Sequence, residues 1–111
     1  MSYSSEVQLG MLSRELGLDE AGLAELLGLS ETELGRWRAD SVPAADAARF
    51  EVVCRTVTML VRKLKLGRVS SVARKPAETW EGRTLLEMLR ADPNATYLAV
   101  ERMFDPNRLF D

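Results

Sequence analysis

With 111 residues, 46% of them hydrophobic, the chain can bury one core or two small helical cores that share a face, but not two independent enzymatic domains. It has no histidine and a single cysteine, which leaves no internal disulfide, no zinc site and no His-based triad, and removes the side chain best suited to moving protons near neutral pH. No apolar run reaches the roughly 18 residues of a bilayer span, and Met1–Gly10 carries neither a basic start nor a hydrophobic signal core, so the expected location is the cytoplasm.

Helical spacing begins at Glu6, where Leu9, Leu12 and Leu16 form one face and Gly17 supplies a stop. Asp19 is a good N-cap for a second helix with Leu23, Ala24 and Leu27 inward and Gly28 at its end. Ser30 then caps a third helix through about Arg38, with Leu34 and Trp37 inward. Pro43 opens a long fourth helix whose apolar stripe is Ala47, Phe50, Cys54, Val57, Val61 and Leu64, widened by Val53 and Leu60. That width predicts packing on the C-terminal half and a contribution to a homodimer. Between Gly67 and Lys75 the rhythm lapses, which reads as a short connector. Pro76 begins a helical turn through Trp80 and Gly82 breaks it. Thr84 caps a helix bearing Leu85, Leu86, Met88 and Leu89, and Asp92-Pro93 starts another bearing Leu98, Val100, Met103 and Phe104. Asp105-Pro106-Asn107 repeats that start signal before a tail with Leu109 and Phe110. No strand pattern survives, and the predicted fold class is all-α.

The net charge of −2 conceals a partition: eight acids and three bases in residues 1–40, two and eight in 41–75, seven and four in 76–111. Arg62, Lys63, Lys65, Arg68, Arg74 and Lys75 gather where the two halves meet. There they would attract a phosphate backbone or an acidic partner, or complement a helix C-terminal dipole as a solvated helix end. Asp and Glu fall at helix starts and on solvated faces, and neither a Gly-rich phosphate loop nor an elbowed nucleophile occurs. Catalysis and a bound cofactor are therefore not expected, and Cys54 reads as a small core residue.

The first motif is Leu23-Ala24-x-x-x-Gly28-Leu29-Ser30-x-x-x-Leu34-x-x-Trp37. Ala24 is small where a following helix crosses, Gly28 permits a left-handed turn, and Leu34 and Trp37 seat the third helix. The spacing resembles the Xre-type helix-turn-helix of phage-repressor-like regulators, over residues 1–66. The resemblance implies operator contacts from Thr32, Arg36 and Arg38, with Arg62, Lys63 and Lys65 on backbone phosphates. Against that, Glu31 and Glu33 would meet phosphates with the wrong sign, and Glu20 stands where these proteins often place a DNA-contacting Gln.

The second motif, in residues 67–111, is Lys75-Pro76-Ala77-x-x-Trp80-x-Gly82-Arg83-Thr84-x-Leu86-Glu87-Met88-Leu89. Following an Xre-like half, it resembles the toxin-binding domain of the Xre/MbcA/ParS antitoxins, in which a Gly-Arg-Thr-Pro-Leu-Glu-Leu-Leu segment is common. This chain has Leu85 at the Pro position and Met88 at a Leu. The resemblance implies an inert antitoxin of a type II system that covers the NAD cleft of a RES-domain toxin. The contacts it implies are Trp80, Arg83 and the terminal Asn107, Arg108, Leu109, Phe110 and Asp111. Members of this family also repress their own operons. The alternative is a free-standing Xre-family repressor whose C-terminal half only dimerises.

Overall fold

Leucines at three- and four-residue spacing put Leu9, Leu12 and Leu16 on one side of the first helix, and all three are fully buried. The computed structural model describes residues 5–64, 67–77 and 80–103. Among these residues the protein is all-α, with helices α1 (Ser5–Leu16), α2 (Glu20–Leu27), α3 (Glu31–Ala39), α4 (Ala44–Lys63), α5 (Arg68–Arg74), α6 (Leu85–Ala91) and α7 (Pro93–Met103). No described helix is long and apolar enough to cross a membrane.

Local chemistry sets the starts and stops. Asp19 accepts from the Gly22 amide at 2.8 Å to cap α2. Gly28 ends that helix at φ 71°, returning its N–H to the last turn of α2. Ser30 and Glu33 form a reciprocal capping box at the start of α3, and Thr84 and Glu87 form another at α6. Pro43 precedes α4 as expected.

The core runs through both halves of the sequence. Leu9, Leu12, Leu23, Leu34, Val57, Val69, Leu85, Leu89 and Val100 belong to one buried cluster. α7 lies along α4, α6 packs on α2 and α7, and α5 packs on α1 and α6. Trp37 meets Phe50 edge-on, with ring centroids 5.6 Å apart, where α3 reaches the beginning of α4. Thr56 on α4 and Thr96 on α7 are fully buried, and each donates its hydroxyl to the carbonyl four residues back, so neither buries an unmet polar group.

Four expectations from the sequence are corrected here. The 67–75 connector is in fact the helix α5. Its only buried side chains, Val69 and Ala73, are too few to make a periodic signal, yet they suffice to seat one turn against the core. The buried face of α4 is centred on Phe50, Val53, Cys54, Val57 and Leu60, while Ala47 and Val61 are exposed. Val53 and Leu60, which widen the stripe, are buried within one chain. On α7 the buried side chains are Pro93, Thr96 and Val100, and Leu98 and Met103 are each 52% exposed. Pro76 itself lies outside any helix, although the helical turn expected after it is present at Trp80, whose amide closes a 3-10 turn onto the Ala77 carbonyl. Phe104 and residues 105–111 lie outside the described residues.

Candidate functional site

The sequence between α5 and α6 demands a tight reversal, because Gly82 and the capping Thr84 leave few residues in which to turn. Ala77 is the hub of that reversal. Its carbonyl accepts from the amides of Trp80 and Gly82, both at 3.0 Å, and its own amide donates to the Arg83 carbonyl at 3.1 Å. Arg83 in turn donates to the Trp80 carbonyl at 3.0 Å. Two consecutive residues have left-handed backbones, Glu81 at φ 56° and Gly82 at φ 82°. Glycine adopts this conformation freely, whereas Glu81 does so at a cost of about 1 kcal/mol. The loop is thus held by four backbone hydrogen bonds and by Trp80, which is half-buried against the core. Arg83 is exposed, with a Glu81 carboxylate oxygen 3.8 Å away. Two of the residues expected to contact a toxin, Trp80 and Arg83, therefore share one braced loop, the first as anchor and the second as presented cation. Asn107, Arg108, Leu109, Phe110 and Asp111 lie outside the described residues.

No family model, curated protein or solved structure matches this chain.

The residues expected to contact DNA fall into two separate groups. Thr32 and Arg36 are exposed on α3. Arg38 is engaged: its guanidinium donates through Nε at 3.2 Å and Nη2 at 2.8 Å to one oxygen of Glu20. The Glu20 carboxylate therefore neutralises one of the two α3 arginines. Glu33 is committed to the cap of α3, accepting from the Ser30 amide at 3.1 Å, and Glu31 remains exposed. Arg62 and Lys63 are exposed at the end of α4, twelve residues or about 18 Å along the helix from the Trp37–Phe50 contact. They line a groove with residues of α1 and α7 and none of α3. Lys65 lies outside the described residues.

Long-range polar contacts of three arginines escaped sequence reasoning. Arg74, at the end of α5, donates to the carbonyls of Leu16 at 2.7 Å and Gly17 at 2.6 Å, so it caps the C-terminus of α1 across 57 and 58 residues. Arg90 on α6 pairs with Glu25 on α2 at 3.0 Å, and Arg49 donates to the Arg90 carbonyl at 2.6 Å. Only the cation excess of residues 41–75 hinted at the first, where a helix-end role had been one of the two readings. Burial, with Glu51 nearby, pushes the Cys54 thiol up to about 12, which leaves it protonated and a poor nucleophile at neutral pH. No described group of His, Cys, Asp and Glu could hold a metal ion.

Proposed function

We propose that this chain is an antitoxin that binds and silences a RES-domain, NAD-consuming toxin through its C-terminal half, with α1–α4 as an Xre-like helix-turn-helix scaffold. The observation that carries the reading is the braced loop 77–83, which presents Arg83 beside an anchored Trp80 and leads into a capped helix. Leu85, which replaces the Pro common at this place, is the first residue of α6. Proline is favoured at that position of a helix, so the substitution keeps the backbone the motif requires. An exposed cation next to an aromatic anchor suits an interface hot spot.

Co-expression with the adjoining reading frame, followed by pull-down and a growth-rescue assay, tests this proposal. Arg83→Glu should abolish rescue without lowering the melting temperature of the free protein, and deletion of residues 107–111 should do the same. Full rescue by both variants would overturn it. The alternative, a free-standing repressor, is disfavoured by the Glu20–Arg38 pair and the exposed Glu31 on the face that would meet DNA. Glu20→Gln with Glu31→Gln is the sharper probe of that reading, since Glu33 serves the cap. Promoter binding by the unmodified chain alone, strengthened by these two changes, would favour the repressor.

A further inference from the structure

Two shallow cavities of about 480 and 500 Å³ share Gln8, Cys54 and Thr58 and so form one trough. One end lies between α1 and α4, and the other reaches Tyr97 on α7. Its uncharged lining residues include Met11, Cys54, Thr58, Met59 and Tyr97. The Cys54 thiol is inert, so this is a packing surface and not a reactive one.

The charged residues lining it are unevenly paired, and Arg14 lies 3.3 Å from the Glu15 carboxylate. Glu51 is matched by Arg55 at 2.7 Å. Arg62 and Lys63, at the other end of the trough from Glu6, form no ion pair with any described residue. They sit at the C-terminus of α4, whose dipole offsets roughly half a charge, so most of two positive charges is left uncompensated.

Length and backbone select the occupant. From Glu51 to Lys63 the trough follows α4 for about 18 Å, the length of a three-turn helix. Strand addition needs a sheet edge, and the described residues contain no strand. A polyproline ligand needs an aromatic-lined groove, and among the described residues Tyr97 is the one aromatic lining this one. Single-stranded nucleic acid needs free cations tracking the whole groove, whereas here Arg14 and Arg55 are paired with Glu15 and Glu51, Arg62 and Lys63 lie at one end, and Glu6 stands at the other. We propose that the trough between α1, α4 and α7 is a docking groove for an acidic amphipathic helix of a partner protein, its apolar face on Met11, Met59 and Tyr97 and its carboxylates toward Arg62 and Lys63. This goes beyond the antitoxin reading and does not depend on it.

The test uses the full chain and a fluorescein-labelled three-turn peptide with leucines at alternating three- and four-residue spacing and glutamates elsewhere, followed by fluorescence anisotropy at low salt. The peptide should bind saturably, and a version with lysine for glutamate should not. Arg62→Glu with Lys63→Glu removes the charge match, and Thr58→Trp fills the trough. Each should weaken binding by about tenfold, with an unchanged circular dichroism spectrum. Wild-type affinity in either variant would overturn the proposal. So would equal binding of an oligothymidylate that competes with the peptide, or a dimer in sedimentation equilibrium that Thr58→Trp dissociates.

Discussion

Arg74→Ala is the most informative single change, because one side chain closes the C-terminus of α1 from 57 and 58 residues away. The contact to the Leu16 carbonyl is partly buried and that to the Gly17 carbonyl is exposed. A charge-assisted bond is worth about 1.5 kcal/mol at the lower end of its range, and the exposed one about 0.5 kcal/mol once solvent screening is allowed for. The expected loss is therefore about 2 kcal/mol, or about 8 °C in melting temperature for a chain of this size. Arg74→Lys keeps the attraction to the helix dipole but loses the fork that reaches two carbonyls, and should lose about half as much. Thermal melts followed by far-UV circular dichroism measure both. If both variants melt within about 1 °C of wild type, the reasoning that Arg74 ties α5 to α1 is refuted.

Three further outcomes are expected. Leu89→Ala removes a fully buried side chain of α6 and should cost about 2–5 kcal/mol in one cooperative transition. In a Trp80→Phe background, Trp37 fluorescence should report that same lowered midpoint, and a Trp37 signal that stays at the wild-type temperature would show two cores. Gly17→Ala should destabilise more than Gly28→Ala in urea titrations. Both positions have positive φ, but a Cβ at Gly17 would lie 2.7 Å from Ser70 Oγ, whereas at Gly28 it would meet nothing within 4 Å. For Cys54 the folded-state pKa is raised, so the unfolded chain releases its proton first and stability is lost as pH rises from about 9 towards about 12. The fall in urea midpoint between about pH 8 and about pH 10.5 should be larger for wild type than for Cys54→Ala, and equal falls would contradict the burial argument.

Helix ends were legible in the sequence wherever the group that satisfies them is local. Asp19, Ser30 and Thr84 accept from amides within three residues, and Gly17 and Gly28 turn the chain on their own backbone freedom, so composition and spacing sufficed. The leucine face of α1 was equally plain, and that of α2 was so except for Leu26, which is buried as well. For the candidate site, the nearness of Trp80 to Arg83 followed from the spacing, but their division into anchor and presented cation needed the hydrogen bonds of Ala77.

What only the tertiary structure decided is which side of a two-sided element faces inward and which charge meets which. α4 carries apolar residues around more than one stripe, and the placement of α7 along it selected Val53 and Leu60 over Ala47 and Val61. α5 has too little apolar surface to announce itself, and it exists because α1 and α6 cover Val69 and Ala73 and because Arg74 finds two carbonyls left open by α1. Glu20 and Arg38 are 18 residues apart in sequence, so their pairing depends on how α2 and α3 are set against each other. Local hydrogen bonding is encoded within a turn of chain, whereas burial and ion pairing depend on elements that meet only after the chain has folded.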